Sequence, residues 1–143
     1  PSSKVKMQDV EIDYSQSWPK SHWRSLYSAY KKSAYFEHYE SYISPLYQNP
    51  PKLLLDFNNQ SLSIVLKMLK IQIQMEYTST YRTMNSENDW RLFIEPSHQQ
   101  KIVLKPYYQL FADKFGFVSN LSILDLIFSL GPDAKTYLNQ ELK

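Results

Sequence analysis

The sequence predicts an α+β fold, predominantly helical with a small sheet of short strands. Apolar and aromatic residues recur at helical spacing through residues 18–69, which is typical of amphipathic helices. Residues 71–76 instead alternate apolar and polar side chains, which is the strand period of two. The chain has 143 residues and shows no repeat, linker or low-complexity stretch, so we expect one domain over residues 1–143.

Three helices are predicted in the first half of the chain. The first begins near Trp18, because the proline that follows suits the first turn of a helix. The second covers about residues 34–47, and Pro45 is expected to kink or end it. The third covers about residues 53–69, where a broad leucine-rich stripe indicates a well-buried face.

Short strands are predicted at three places. Residues 10–14 alternate apolar and polar side chains, as residues 71–76 do, and the β-branched and hydroxyl residues of 78–83 extend the second strand. A third strand is expected at residues 102–104 because they are apolar and mostly β-branched. Residues 90–94 fit either a strand or a short helix.

The last third of the chain is predicted to be helical. A helix opens at Asn120 or Ser122, where an acidic residue three positions after the serine matches the spacing of a capping box. Gly131 and Pro132 stop this helix and start the next one, which covers about residues 133–142.

Composition excludes several kinds of site. The chain has no cysteine, which excludes disulfides, thiol catalysis and cysteine-ligated zinc, and it has only two glycines, so phosphate-binding glycine loops are absent. The net charge of +2 argues against nucleic acid as a partner. No apolar run reaches the roughly 18 residues of a membrane span. We see no histidine pair at metal-binding spacing, so neither a metal nor a cofactor is expected.

Two sequence signatures resemble the WbqC-like protein family. The first is Trp-Pro-Lys-Ser-His-Trp-Arg at residues 18–24, followed by Tyr-Lys-Lys-Ser-Ala-Tyr-Phe at residues 30–36. The second is Tyr-Gln-Leu-Phe at residues 108–111, then Asn-Leu-Ser-Ile-Leu-Asp-Leu-Ile-Phe at residues 120–128 with Gly131. The resemblance extends over about residues 10–138.

The start of the chain departs from the family pattern. Family members usually begin with a segment rich in Tyr and Pro and a basic Arg-Asn-Arg-like stretch, and neither is present here. Ala34 also stands where the family often has proline. The resemblance therefore implies the C-terminal two-thirds of a WbqC-like domain, truncated at its N-terminus. Part of any active site would lie in the missing segment.

Family resemblance also implies a function. It indicates a cytoplasmic bacterial protein of O-antigen or other surface-polysaccharide biosynthesis, with a glycine, amino-acyl or other transferase activity. The substrate would be an activated sugar or an amino-acyl group. This expected function comes from the setting in which family members are found, and it does not indicate a reaction mechanism.

Two residues are candidates for catalysis. His22 lies in the first turn of its predicted helix and could act as a general base, although a histidine there can simply hydrogen-bond within the fold. Asp125 interrupts an apolar run, and a carboxylate buried there must be paired. With Asn120 and Ser122 it could hold an anion at the helix N-terminus, but we favour a helix cap for these three residues.

Candidate substrate-binding residues are the aromatic and polar side chains of Trp18, Tyr30, Tyr108, Gln109, Asn120 and Ser122. Tyrosine and tryptophan offer a flat apolar surface with a polar tip, which suits sugar rings and nucleobases. Aromatic residues at helical spacing belong to the core more often than to a binding site, and we favour the core for these.

Two functional hypotheses follow. In the first, the protein is a transferase in which His22 is the general base and the turn at residues 120–125 holds the anionic part of the substrate. In the second, it is a non-catalytic binding or assembly protein, and one version of this hypothesis is a homo-oligomer. The chain is rich in tyrosine and phenylalanine, which are enriched at interfaces. Convergence of His22, Tyr108, Gln109 and Asp125 on one pocket would favour the enzyme.

Overall fold

The computed structural model describes residues 5–80 and 104–141. Within these ranges the chain forms six α-helices, which are α1 (Trp18–Tyr30), α2 (Phe36–Gln48), α3 (Leu54–Met68), α4 (Ala112–Phe115), α5 (Ile123–Leu130) and α6 (Ala134–Glu141). Two short 3₁₀ turns accompany them, Met7–Asp9 before α1 and Gly131–Asp133 between α5 and α6.

The three N-terminal helices confirm the helical periodicity of the sequence. α1 begins at Trp18 with proline in its first turn, as predicted. Helix α2 runs past Pro45 for less than one turn and then ends, and its last hydrogen bond is from the amide of Asn49 to the Pro45 carbonyl at 2.9 Å. Short connections follow α1 and α2, and each helix packs against the next one along the chain.

The core lies where α5 meets these three helices. Leu126, Ile127 and Phe128 of α5 are almost fully buried, and Phe36 of α2 packs its ring edge against Phe128 with 5.1 Å between centroids. Met68 at the end of α3 joins the same cluster. Because α5 is apolar on nearly every side, it can be buried only by covering it with several helices.

The predicted small sheet is wrong for the residues that the structure describes. Their β-type pairing is limited to one isolated antiparallel bridge between Glu11 and Leu53. Nearby, the amide of Leu54 donates to the Val10 carbonyl at 2.9 Å. The partner segment cannot extend this pairing, because two prolines without an N–H precede it and α3 begins at its end.

The second predicted strand is also absent. Residues 71–80 have no regular secondary structure, and Ile73 is 56% exposed. Alternation specifies a strand only where a neighbouring strand and a buried face are available. In the described chain no strand pairs with these residues, and Ile71 alone among their apolar side chains packs against the core. Predictions for residues 90–94 and for the end of 78–83 lie outside the described residues. So does the prediction for 102–104, apart from Leu104, which is not in a strand.

The C-terminal helices begin and end close to where the sequence predicted. Ser122 is the N-cap of α5, since its Oγ accepts from the amide of Leu124 at 3.3 Å. Gly131 ends α5 with a positive φ of 55°, a conformation that favours glycine. In the described part of the chain, no helix combines the length and apolar character needed to cross a lipid bilayer.

Candidate functional site

A groove runs along one face of α1, beside the end of α2. Its volume is about 370 Å³, and its lining residues are His22, Ser25, Leu26, Ala29, Tyr30 and Tyr47. Five of these come from α1 at spacings of three, one, three and one, which places them on one face of a helix. Only Tyr47 comes from α2, so the groove is formed by the packing of these two helices.

His22 lies at one end of the lined α1 face, between two aromatic rings. Its imidazole is 5.0 Å from the ring of Trp18 and 6.5 Å from that of Tyr47, in edge-on arrangements. Trp18 is itself fixed, because its Nε1 donates to the Asp13 carbonyl at 2.9 Å and its ring stacks on Tyr14. His22 is exposed, so its ring is accessible to a molecule in the groove.

Tyr30 lies at the other end of the groove and reaches into the core. Its ring packs on Phe128 of α5 with 5.2 Å between centroids. Burial raises the pKa of Tyr30 from the ordinary 10.0 to about 12, and the negative charge of Asp125 adds to the effect. Tyr30 therefore connects the groove with the core around Phe128.

Asp125 is the centre of a buried polar network. Only 4% of its surface is exposed, and its Oδ2 accepts from the Tyr107 hydroxyl at 2.7 Å and from Gln109 Nε2 at 3.2 Å. Among the described residues no lysine, arginine or histidine forms an ion pair with it. Neutral donors therefore satisfy this carboxylate. Burial and the hydrogen bond to Asp125 also raise the pKa of Tyr107 well above its ordinary range.

Gln109 anchors the loop that precedes α5. Its Oε1 accepts from the Val118 amide and its Nε2 donates to the Val118 carbonyl, each at 2.9 Å. The side-chain amide thus replaces a backbone partner and closes the loop over residues 109–118. Before this loop, the Tyr137 hydroxyl donates to the Lys105 carbonyl, which holds the segment against α6.

The family comparison rests on the first part of the chain. The sequence model of the WbqC-like protein family matches residues 1–107. This chain belongs to the WbqC-like protein family. The signature over residues 18–36 lies inside the match, whereas the one over 120–131 lies beyond it. The match is N-terminal and does not correspond to a C-terminal two-thirds, so that prediction and the expected extent of 10–138 are both corrected. No curated protein and no solved structure matches the WbqC-like chain.

The WbqC-like chain brings only some of the predicted site residues together. His22 and Tyr30 line the groove, and Trp18 contacts His22 at its edge. Tyr108 is 65% exposed and does not line the groove. Gln109 is buried against Asp125. The four residues whose convergence would favour an enzyme therefore do not meet in one pocket.

The helix N-terminus at residues 120–125 is only partly the cap that the sequence predicted. Ser122 caps α5, but the carboxylate of Asp125 turns inward to Tyr107 and Gln109 and does not complete a capping box. Asn120 is exposed with a φ of 57°. A separate cavity of about 230 Å³ lies beside Asn120 and Tyr107.

Sequence reasoning missed the polar groove residues Ser25 and Tyr47, and also the apolar Leu26 and Ala29. Ser25 could have been found, because it follows His22 by three positions and so shares its helix face. Tyr47 could not, since the packing of α1 on α2 alone brings it to within 6.5 Å of His22. In the described residues no group of histidines and carboxylates is arranged to hold a metal ion.

The raised pKa of Tyr30 makes stability dependent on alkaline pH. The unfolded chain releases this proton near pH 10, whereas the folded chain holds it to about pH 12. Its contribution is thus complete below about pH 10 and is lost as the pH rises towards 12. We expect the free energy of unfolding, measured in urea, to fall over this interval more steeply in the wild type than in Tyr30→Phe. Parallel pH profiles would contradict the assignment.

Proposed function

We propose that this WbqC-like protein is a non-catalytic carbohydrate-binding protein of surface-polysaccharide biosynthesis, and that a sugar ring lies in the groove between α1 and α2. The groove itself carries the proposal, because the side chains of His22, Tyr30 and Tyr47 surround apolar Leu26 and Ala29 there. Aromatic rings with polar tips suit the apolar face and hydroxyl edge of a sugar. Surface-polysaccharide biosynthesis is the context that the family resemblance implies.

The dimensions of the groove favour a small ligand. Its volume of about 370 Å³ lies at the lower end of the roughly 300–1,000 Å³ typical of ligand pockets. This suits one sugar residue, or one residue of a longer chain. The groove also lies on an exposed helix face and not inside the core, so a ligand can enter without opening the fold.

The environment of Asp125 is the main argument for binding over catalysis. General acid–base catalysis requires the acid and base to reach the reacting group. Here the second titratable candidate, Asp125, is buried and already accepts from Tyr107 and Gln109. The exposed polar residues Asn120 and Ser122 do not line the groove. His22 is thus left without a partner acid at the groove among the described residues.

His22→Gln tests the proposal, with His38→Gln as the matched control. His38 lies in α2 against Tyr35 and does not line the groove. We expect glucose to bind the wild type, and His22→Gln to weaken its binding by about fivefold, or about 1 kcal/mol, because the glutamine amide reproduces neither the ring contacts nor the hydrogen-bond geometry of the imidazole. His38→Gln should bind as the wild type does. Saturation-transfer NMR measures both, and equal affinities in all three proteins would contradict the proposal.

A transferase is the second candidate, and the observation that favours it is the exposed imidazole of His22 at the groove. The transferred group would be glycyl, another amino-acyl group or a sugar. In a glycan assay, loss of a general base lowers the rate by about 10²–10⁴-fold. His22→Gln would then lose turnover far beyond its loss of binding, whereas His38→Gln would not. Binding without turnover in the wild type supports the first candidate.

Location and assembly complete the proposal. We infer a cytoplasmic protein, with the family resemblance as support. The homo-oligomeric form of the binding hypothesis stays a prediction, and sedimentation velocity tests it. If the protein is strictly monomeric at high concentration, the homo-oligomeric version is contradicted. Ligand binding in the groove then remains as the proposed function.

A further inference from the structure

A second groove lies where α3 ends, and we call it the lysine groove. Its volume is about 490 Å³, which exceeds that of the groove between α1 and α2. The last turns of α3 form one side, and the irregular segment that follows the helix forms the other. Two lysines line it together with apolar side chains, and these residues are Lys67, Lys70, Leu66, Ile71, Ile73 and Met75.

Lys70 has a backbone conformation that lysine seldom adopts. Its φ is 54°, and among the described residues Asn120 is the only other non-glycine residue with a positive φ. The Lys70 amide donates to the Lys67 carbonyl at 3.1 Å. The next amide, that of Ile71, donates to the Leu66 carbonyl at 2.9 Å. This is a Schellman motif, in which glycine usually takes the left-handed position, so helix termination alone does not explain a lysine there.

The end of α3 also has a separate cation to complement its carbonyls. Such carbonyls attract positive charge, and Nζ of Lys135 in α6 donates to the Lys70 carbonyl at 3.2 Å. The Lys67 ammonium lies over the Tyr42 ring, 4.9 Å from its centroid, which occupies no hydrogen-bond acceptor. Within the described chain no acidic residue forms an ion pair with Lys67 or Lys70. Both lysines, on flexible four-carbon stems, are therefore free to bind an anion in the groove that they line.

The remainder of the lysine groove offers apolar surface to a ligand. Ile73 and Met75 are 56% and 37% exposed, in a segment without regular secondary structure. Leu66 and Ile71 continue this apolar lining towards α3. Because removing such surface from water is favourable, an apolar chain would bind here more tightly than a polar one. Positive charge and exposed apolar surface thus occur in one groove.

We propose that the lysine groove binds a phosphate monoester of an alkyl chain, with the phosphate at Lys67 and Lys70 and the chain on the apolar lining. A phosphate monoester carries a charge of about −1.5 to −2 at neutral pH, which two ammonium groups match. A carboxylate, with one charge and a planar pair of oxygens, suits arginine better, and no arginine lines the groove. The inference goes beyond sugar binding, since the two grooves share no lining residue.

Three ligands separate the contributions of charge and chain. Octyl phosphate has both, inorganic phosphate has only the charge, and octanol has only the chain. Amide NMR shifts of the whole protein at about neutral pH give their affinities. We expect octyl phosphate to bind at least about tenfold more tightly than either of the others, with the largest shifts at Ser63, Lys70 and Ile73. If inorganic phosphate or octanol binds as tightly as octyl phosphate, the inference is overturned.

Lys70→Gly and Lys67→Gln test the two lysines, with Lys31→Gln as the matched control. Lys31 follows the end of α1 and its ammonium also lies over a tyrosine ring, at 5.6 Å, but it does not line the lysine groove. We expect each groove variant to weaken the binding of octyl phosphate by about tenfold, and the control to leave it unchanged. Glycine adopts the φ of Lys70 without strain, so Lys70→Gly keeps the helix end while it removes the side chain.

The outcomes distinguish a ligand site from a general effect of charge. Binding that persists in both groove variants would overturn the inference. An equal loss in Lys31→Gln would also overturn it, because the loss would then follow net charge and not the groove. Largest shifts at Ser25 and Tyr47 would place octyl phosphate in the groove between α1 and α2 and contradict the inference as well. Failure of glucose to bind would overturn the proposed function alone.

Discussion

Asp125→Ala is expected to lower the free energy of unfolding by about 2–4 kcal/mol, because the Tyr107 hydroxyl loses its acceptor and Gln109 Nε2 loses one of its two. The cost is high because both side chains are held by the fold and cannot turn to water without disturbing it. Gln109 also closes the loop to Val118, so its displacement would loosen the segment that precedes α5. Urea denaturation followed by circular dichroism measures the change.

Asp133→Ala is the matched control for this variant. Asp133 is an exposed aspartate between α5 and α6, and its side chain makes no hydrogen bond or ion pair among the described residues. Its position at the start of α6 limits the expected loss to about 1 kcal/mol. Asp125→Asn keeps an acceptor oxygen, so its loss of stability should lie between those of Asp125→Ala and Asp133→Ala. A loss for Asp125→Ala as small as that for Asp133→Ala would show that the polar network does not stabilise the fold.

Gly131→Ala is expected to destabilise the protein by about 3 kcal/mol or more, through backbone strain together with steric overlap. Gly131 has φ 55° and ψ −122°, which non-glycine residues rarely adopt. An added Cβ would lie 2.5 Å from Cγ of the Tyr35 ring. Cγ is the base of the ring, so rotating the ring about its own axis does not relieve the overlap. Thermal or urea unfolding measures the loss.

Two further variants separate strain from overlap. Gly116 also has a positive φ, of 69°, but nothing lies within 4 Å of its added Cβ, so Gly116→Ala should show only the backbone cost of about 1–3 kcal/mol. Tyr35→Ala combined with Gly131→Ala should lose less stability than the sum of the two single variants. Additive losses would mean that Tyr35 and Gly131 do not contact each other.

The helices could be predicted from the sequence because their signals are local. Helices are recognised by the spacing of apolar residues and by the residues at which they begin or end, such as Trp18, Ser122 and Gly131. Both signals involve neighbours within a few positions. A sheet requires a partner from elsewhere in the chain, which alternation does not supply. This is why residues 10–14 form one bridge and residues 71–76 form no strand.

The site was only partly predictable, because its contacts join distant residues. The apolar surroundings of Asp125 showed that it needs partners, but those partners lie 18 and 16 positions away. The sequence also cannot tell which of two adjacent tyrosines faces inward. Tyr107 donates to Asp125, whereas Tyr108 is exposed.

The most direct test of the account is to locate a bound sugar on the protein. In a titration with glucose followed by amide NMR shifts, we expect the largest changes at Ser25, Ala29 and Tyr47, which line the groove between α1 and α2. Changes of this kind would place the sugar on the proposed face. Changes centred on Asn120 and Tyr137, which line the separate cavity beside α5 and α6, or no changes at all, would contradict the account.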